Sequence, residues 1–199
     1  RNLKSGRRVK AVVPVHILGH PVDLDPILDI ARKFELAVVE DATESLGSRY
    51  KERMVGNLGD IACLSFNGNK MITTGSGGMI VTSDAALAAR AKHLTTQAKS
   101  DPIEYIHDEI GYNYRLSNIH AAMGCAQMEV LDSYIAAKIQ IADNYAKRLS
   151  EIEGIQVPWE MEWASSVYWL YTILVDPDRY GIDSRQLMQE LEEQGVQTR

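Results

Sequence analysis

The sequence lacks several features that would assign it quickly to a functional class. Only two of its 199 residues are cysteines, Cys63 and Cys125, and they do not have the spacing of a metal-ligand pair. Both lie among apolar residues, so we expect two buried thiols, as is usual in a reduced cytoplasmic protein. The scarcity of cysteine therefore argues against a disulfide-built secreted domain and against a zinc site made of cysteines.

Runs of like charge and long apolar runs are also missing. The chain carries 21 Lys and Arg against 27 Asp and Glu, and the basic residues are scattered apart from the segment 4–10. A scattered distribution does not favour a nucleic-acid surface. No apolar run is long enough to cross a bilayer. No Gly-x-Gly-x-x-Gly motif follows the first predicted strand, which disfavours a nicotinamide-binding domain.

The ends of the chain predict that it is part of a longer protein. It begins with Arg1 rather than Met, without the apolar segment of a signal peptide, and it stops a few residues after a predicted helix. The composition, 45% hydrophobic and 24% charged, is that of a globular protein. We expect one large domain and part of a second.

Short β-branched runs alternate with helical patterns in the first half, as in layered α/β folds. This pattern predicts strands at 11–16, 37–41, 61–66 and 79–82, helices at 25–35 and 84–94, and a small hairpin within 48–55. In the second half, apolar residues at helical spacing predict a helix over 117–152, broken near 132–133. A strand at 168–175 and a helix at 184–194 follow. We place a domain boundary inside the long helix, around residues 132–144.

Polar features follow three predicted strands at their C-terminal ends, where ligands bind in open α/β sheets. They are His16, Asp41 with Glu44, and the segment from Ser65 to Lys70. Each also has a structural interpretation. The His would be a hydrogen-bonded core residue, the Asp would cap the next turn, and the Lys would be solvated.

The position of Lys70 favours chemistry, because it lies in a short polar turn between two apolar strands. A lysine held at a sheet edge can be desolvated enough to lose its proton and attack an aldehyde. An acidic residue at a neighbouring strand end, such as Asp41, could pair with a protonated pyridine nitrogen. Ser65 and the glycine turn at 75–78 offer hydrogen-bond donors for a phosphate.

Five segments make this hypothesis specific. They are Pro14-Val-His-Ile-Leu-Gly-His-Pro-Val-Asp23, Asp41-Ala-Thr-Glu-Ser45, Ser65-Phe-Asn-Gly-Asn-Lys70, Thr74-Gly-Ser-Gly-Gly-Met79 and Gly111-Tyr-Asn-Tyr-Arg-Leu116. Their order and spacing resemble those of the sugar aminotransferase family often called DegT/DnrJ/EryC1/StrS. The segments tie together most of the span from 11 to 149.

The resemblance implies an α/β fold of the fold type I aminotransferases. A three-layer large domain, with a mostly parallel sheet between helices, would precede a smaller α+β domain. Residues 1–135 would form the C-terminal part of the large domain, which binds pyridoxal 5′-phosphate, and residues 136–199 would begin the small domain. An aromatic residue stacking on the cofactor and a phosphate loop are expected before Arg1. We therefore expect the isolated chain to be inactive and to bind cofactor weakly or not at all.

The resemblance also implies roles for single residues. Lys70 would be joined covalently to the cofactor's aldehyde and would then move a proton between the sugar and the cofactor. Asp41 would bond the pyridine nitrogen, Glu44 would lie near the oxygen edge of the ring, and Ser65 would bind the phosphate. Asn113 would reach the phosphate held by a neighbouring subunit. The implied assembly is a cytoplasmic homodimer with shared active sites, without a metal, nucleic acid or membrane.

The implied reaction is transfer of an amino group, from a donor such as glutamate, to the keto carbon of a nucleotide-linked 4-keto-6-deoxy sugar. Segments 67–70 and 95–99 are most similar to the branch that acts on UDP-linked N-acetylhexosamines, as in bacillosamine and legionaminic acid synthesis. Two alternatives keep the fold. One is a sugar dehydratase, whose family members usually have His in place of Lys70, and the other is a non-catalytic regulatory protein.

Two positions in these segments have open interpretations. Ser76 stands where the glycine turn of the family often has an acidic residue or glycine. We expect little consequence, since the turn supplies backbone geometry. Arg115 would help shape the subunit interface or the sugar site, and a surface salt bridge explains it equally well.

Overall fold

The computed structural model describes residues 4–101 and 103–199. The strands are β1 (Ala11–Val12), β2 (Ala37–Asp41), β3 (Arg49–Tyr50), β4 (Arg53–Met54), β5 (Ile61–Ser65), β6 (Gly78–Val81), β7 (Lys99–Asp101), β8 (Ile106–His107), β9 (Ile155–Gln156), β10 (Ala164–Ser165) and β11 (Leu174–Val175). The helices are α1 (Leu24–Phe34), α2 (Ala85–Thr95), α3 (Asn118–Met128), α4 (Leu131–Leu149), α5 (Pro177–Tyr180) and α6 (Ser184–Glu193).

The central sheet has four strands in the order β1-β2-β5-β6. The pairs β1-β2 and β2-β5 are parallel, whereas β6 runs antiparallel at the edge. Smaller units surround it: a three-stranded sheet in the order β10-β3-β4 and the two antiparallel pairs β7-β8 and β9-β11. A helix between two parallel strands, as α1 lies between β1 and β2, is the ordinary connection in an α/β sheet.

Two apolar clusters form the core. Leu24, Tyr50 and Val55 pack beside the hairpin β3-β4, where the Tyr50 hydroxyl donates to Asp23 Oδ1 at 2.6 Å. The second cluster consists of Phe66, Ile72 and Leu131. It packs the start of α4 under the segment that connects β5 to β6. This cluster fixes the position of the connection that contains Lys70.

Most of the predicted elements are confirmed. The strand at 37–41 and the hairpin within 48–55 are present, and α1, α2 and α6 end within one residue of the prediction. Asp84 caps α2 as expected, because its carboxylate accepts the N–H groups of Ala86 and Leu87. In these elements one local signal, a helix cap or an alternating apolar pattern, determines the structure, and no tertiary contact overrides it.

Three predicted elements are wrong in extent. The first strand ends at Val12, and a 3₁₀ turn (Ile17–Gly19) follows an isolated bridge between Val15 and Asp41. The long helix breaks at residues 129–130 rather than 132–133, because Val130 leaves the helical conformation (φ −115°, ψ 10°). The strand predicted at 168–175 is reduced to Leu174–Val175. Tyr168 turns the chain there with φ +47°, outside the range of a strand.

The prediction of two buried thiols is also wrong, since Cys63 and Cys125 are both exposed. Each lies on a face that the described residues leave open: Cys63 on one face of the sheet and Cys125 on α3, which has no buried residue. The predicted boundary between residues 135 and 136 falls inside the continuous helix α4 and stays a prediction. Within residues 4–101 and 103–199, no helix is long and apolar enough to span a membrane.

Candidate active site

The register of the central sheet brings three polar or reactive side chains to one face. Asp41 at the end of β2 pairs with Cys63 of the parallel strand β5. Ser65 lies two residues further along β5 and therefore points to the same side. This face is open, with Asp41 and Ser65 half-buried, whereas Glu40 and Ala62 on the opposite face are fully buried.

Asp41 presents one oxygen to this open face. Its Oδ1 accepts hydrogen bonds from the backbone N–H and the hydroxyl of Thr43, at 3.2 and 2.7 Å. Its Oδ2 accepts none from any residue that the structure describes. The carboxylate is close enough to Cys63 to affect its thiol. Although the residue is exposed, neighbouring atoms partly desolvate the sulfur and raise the pKa of the thiol, and the negative charge of Asp41 raises it further. The thiol is therefore protonated at neutral pH and is a weak nucleophile there.

Directly behind Asp41, Glu40 is a fully buried carboxylate with a complete set of donors. It accepts hydrogen bonds from His16 Nε2 at 3.1 Å and from three backbone N–H groups. Those N–H groups belong to Gly56, Leu58 and Gly59, at 2.8, 2.6 and 2.6 Å. Burial by itself raises the pKa of Glu40, but the hydrogen bonds from His16 and the three N–H groups outweigh it and leave the pKa below its ordinary value.

His16 is fixed in one tautomer by this arrangement. Its Nδ1 accepts the backbone N–H of Val22 at 3.2 Å, so the ring proton is on Nε2 and points to Glu40. The backbone of His16 also donates to the Asp41 carbonyl at 3.1 Å. The structure thus gives His16 the hydrogen-bonded core position of its structural interpretation, and it holds the end of β2 from behind.

The carboxylate of Glu44 lies near the same strand end but has a local partner. Its Oε2 accepts the backbone N–H of Leu18 at 2.6 Å. Leu18 has φ +58°, an unusual conformation for a leucine, and the hydrogen bond stabilises it. The structure therefore shows Glu44 holding the 3₁₀ turn, and its predicted place at the oxygen edge of a cofactor ring stays a prediction.

Ser65 ends β5 with a hydroxyl that can still donate. Among the described residues, its Oγ accepts only a long hydrogen bond, 3.4 Å, from the N–H of Asn67. Gly78 of β6 lies opposite, and a Cβ atom there would be 2.4 Å from the Leu64 carbonyl oxygen. Glycine is required at that position because the two strands approach so closely.

The connection between β5 and β6 is a fixed structure rather than a loose loop. Its base is closed by hydrogen bonds from Phe66 N–H to Gly77 O (2.9 Å) and from Thr74 N–H to Phe66 O (3.0 Å). The side-chain amide of Gln127, on α3, bonds both backbone groups of Thr73, at 2.9 and 2.8 Å. The turn that contains Lys70 is thus anchored to the helix behind it.

The side chain of Lys70 is half-buried at one end of an open pocket of about 230 Å³. Its Nζ lies 3.7 Å from the centre of the Trp169 ring, and the indole N–H of Trp169 donates to Asn69 O at 2.8 Å. Lys138 donates to the Trp169 carbonyl at 2.9 Å, and burial lowers the pKa of this second lysine. No hydrogen bond joins Lys70 Nζ to Asp41 within the part of the chain that the structure describes.

Asn113 and Arg115 are exposed on a segment at the rim of the molecule. The segment is held by a bridge between Thr96 and Asn113 and by the N–H of Tyr114, which donates to Thr95 O at 3.0 Å. Neither Asn113 nor Arg115 is hydrogen-bonded to the sheet face that carries Asp41. The role of Asn113 toward a neighbouring subunit stays a prediction.

Sequence reasoning missed four residues of this site. Glu40 was visible as an acid beside Asp41, but only the register shows which of the two faces inward. Gln127 and Trp169 bond the Lys70 turn from 54 and 100 residues away in sequence, and Lys138 bonds the Trp169 carbonyl and lines the same pocket. No local pattern predicts such contacts.

The chemistry of the donor set fits pyridoxal 5′-phosphate. A carboxylate with a free oxygen suits the pyridine N–H of the cofactor, a hydroxyl suits its phosphate, and a lysine amine suits its aldehyde. In this chain these groups are Asp41, Ser65 and Lys70. They follow the carboxyl ends of two adjacent parallel strands, where ligands of α/β sheets bind.

A model of the DegT/DnrJ/EryC1/StrS aminotransferase family matches residues 4–199. The chain belongs to this family. Membership confirms the resemblance read from the five segments, and it agrees with the mixed α/β sheet of the structure.

Members of this family are similar to the chain along almost its whole length. A protein named GDP-perosamine synthase from Escherichia coli O157:H7 is 41% identical over 98% of this chain and 52% of its own. EpsN of Bacillus subtilis (strain 168), whose name proposes a pyridoxal phosphate-dependent aminotransferase, is 38% identical over 98% of this chain and 50% of its own. The chain thus spans about half the length of these relatives.

A solved structure confirms the fold type I architecture predicted for the chain. DesI, determined in the presence of its TDP-sugar product, has a TM-score of 0.88 and 29% identity, and the match covers 96% of this chain and 48% of DesI. The chain therefore shares the fold of about half of DesI.

Proposed function

We propose that the full-length protein uses pyridoxal 5′-phosphate to transfer an amino group, from glutamate, to the keto carbon of a nucleotide-linked 4-keto-6-deoxy sugar. The observation that carries the proposal is the arrangement of Asp41 and Ser65 on one open sheet face, followed by Lys70 in an anchored turn. Relatives named perosamine synthase and the sugar product of DesI support the substrate class.

The bound cofactor would supply an aldehyde and an electron-accepting ring, which the side chains of the protein lack. Lys70 would hold that aldehyde through its Nζ atom and, once displaced by the amino donor, move a proton at the reacting carbon. Asp41 would accept a hydrogen bond from the ring nitrogen through its free Oδ2, and Ser65 would donate its hydroxyl to the phosphate. Glu44 would lie at the oxygen edge of the ring.

The proposed working unit is a cytoplasmic homodimer with shared active sites. Asn113 would reach the cofactor phosphate of the neighbouring subunit, in keeping with its exposed position in this chain. Polysaccharide biosynthesis is the proposed pathway class. The UDP-linked branch predicted from segments 67–70 and 95–99 stays a prediction, and GDP-linked sugars belong in the same assay because of the perosamine synthase relatives.

Borohydride reduction of the full-length, cofactor-loaded protein tests the assignment of Lys70. Reduction makes the covalent link permanent, and peptide mass analysis should find the added pyridoxyl group on Lys70. The Lys70→Ala variant should lose this label and at least roughly 10³-fold in turnover. Lys51→Ala is the matched control, because Lys51 is an exposed lysine paired with Asp25. A label on another lysine, or an active Lys70→Ala protein, would overturn the assignment.

Product analysis separates the proposed reaction from the dehydratase alternative. The protein would be incubated with glutamate and a panel of UDP- and GDP-linked 4-keto-6-deoxy sugars. Amino transfer replaces the carbonyl oxygen by an amine and converts glutamate to 2-oxoglutarate. Dehydration instead removes a hydroxyl from the sugar ring. Nitrogen from labelled glutamate in the sugar product supports the proposal, and a deoxygenated product without nitrogen contradicts it.

A further inference from the structure

One aromatic side chain contacts the Lys70 turn in two different ways. The indole N–H of Trp169 donates to the carbonyl of Asn69, and the face of the same ring lies 3.7 Å from Lys70 Nζ. A cation at this distance from an indole face is attracted by the ring's quadrupole. The two contacts act on adjacent residues, one on the backbone of the turn and one on the amine at the end of the side chain.

Trp169 is itself held tightly and is only 8% exposed. Its carbonyl accepts a hydrogen bond from the half-buried Lys138 of α4. On its other side the chain passes directly over Gly19, where a Cβ atom would lie 2.9 Å from the Trp169 backbone nitrogen. Gly19 has φ +93°, so glycine is favoured there by both conformation and space. The indole is therefore a rigid support rather than a mobile surface group.

We propose that Trp169 is a positioning residue for Lys70: its N–H fixes the turn at Asn69, and its ring holds the lysine amine in one place before the aldehyde is bound. The inference rests on the function proposed for Lys70, since an inert lysine would need no positioning. Arg199 also lies near the Trp169 ring, but at 5.5 Å from the ring centre. Its attraction to the ring is therefore weaker than that of Lys70.

The test measures the chemical reactivity of the Lys70 amine directly, in full-length protein without cofactor. Lysines are methylated with formaldehyde and cyanoborohydride, and the rate at Lys70 is followed by peptide mass analysis. In Trp169→Leu the rate at Lys70 should rise about 5-fold, which corresponds to about 1 kcal/mol. Trp169→Phe keeps an aromatic face, so the rate should stay within about 2-fold of the wild type. Lys51 and Lys99 in the same digest serve as internal references.

Trp169→Phe also tests the second contact, because it removes the N–H that binds Asn69. Hydrogen exchange of the peptide covering residues 67–71 should become faster in this variant. Trp159→Leu is the matched control, since Trp159 is 63% exposed and should change neither measurement. If Trp169→Leu does not fold, the hydrogen-exchange rate of residues 67–71 in Trp169→Phe decides whether Trp169 positions the turn.

Specific outcomes would overturn the inference. One is an unchanged Lys70 methylation rate in a folded Trp169→Leu protein, and another is an unchanged exchange rate at 67–71 in Trp169→Phe. A purely structural role of Trp169 would accelerate all lysines together rather than Lys70 alone. None of these measurements uses the cofactor, so they are independent of the borohydride test. If that test fails while the methylation and exchange rates change as expected, the catalytic role of Lys70 is rejected and only the contact of Trp169 with the Lys70 turn remains.

Discussion

The residues around Glu40 and the segment 103–128 differ in which kinds of side chain they bury and which they expose. Around Glu40, the polar side chains of His16, Glu40 and Ser48 are 0% exposed and are hydrogen-bonded within the chain. In the segment 103–128, apolar side chains point outward instead. Ile103, Ile110 and Ile119 are 82%, 83% and 76% exposed, and α3 has no buried residue.

This contrast separates what the chain stabilises by itself from what it presents to other molecules. A buried carboxylate is tolerated only with a full set of donors, and Glu40 has four of them. Large apolar side chains concentrated in one exposed segment are typical of a surface that further protein covers, such as the rest of a longer chain or a second subunit. The same segment carries Asn113, the residue predicted to serve a neighbouring subunit. The first segment therefore supports the site from behind, and the second is suited to assembly.

Removing the carboxylate of Glu40 should produce the largest loss of stability. In Glu40→Ala, three backbone N–H groups and the Nε2–H of His16 would be buried without acceptors. Breaking a buried charged network of this kind costs about 3–5 kcal/mol. Urea unfolding of the full-length protein, followed by tryptophan fluorescence, measures the change. Glu35→Ala is the control, because this exposed carboxylate forms a surface ion pair with Arg8, and no measurable change is expected.

The second comparison uses one residue type, isoleucine, in the core and in the exposed segment 103–128. Ile72 is 1% exposed in the cluster under the Lys70 turn, whereas Ile119 is 76% exposed on α3. Ile72→Ala should destabilise the protein by about 2–4 kcal/mol, because it leaves a cavity beside Phe66 and Leu131. Ile119→Ala should change the stability of the protomer by less than about 0.5 kcal/mol. Equal losses in the same urea experiment would show that the rest of the full-length protein, or its second subunit, buries Ile119, so that the contrast holds only for this chain by itself.

These two regions also show what sequence reasoning can reach. The positions of Asp41 and Ser65 at strand ends, and of Lys70 in the turn after β5, were predictable because the local patterns of these strands are clear, whereas the roles of the three residues stay predictions. The inward direction of Glu40 depends on the pairing of β2 with β5, and the place of Trp169 depends on a contact across 100 residues. The apolar run at 168–175 has the sequence pattern of a strand, but Tyr168 and Trp169 pack against Gly19, and Trp169 also bonds the Lys70 turn. Tertiary contacts decided these features, and local propensity does not encode them.

The smallest predicted effect is the acid dependence that Glu40 adds to stability. Its pKa in the folded protein lies below the ordinary 4.5, so the folded state holds the ionised form more tightly than the unfolded state does. The stabilisation is therefore fully present above pH 4.5 and is lost as the pH falls through the folded-state pKa. Urea midpoints measured between pH 7 and pH 3 should decline in this window for the wild type. Glu40→Gln cannot ionise and should show a shallower decline, and identical slopes would mean that Glu40 does not carry the effect.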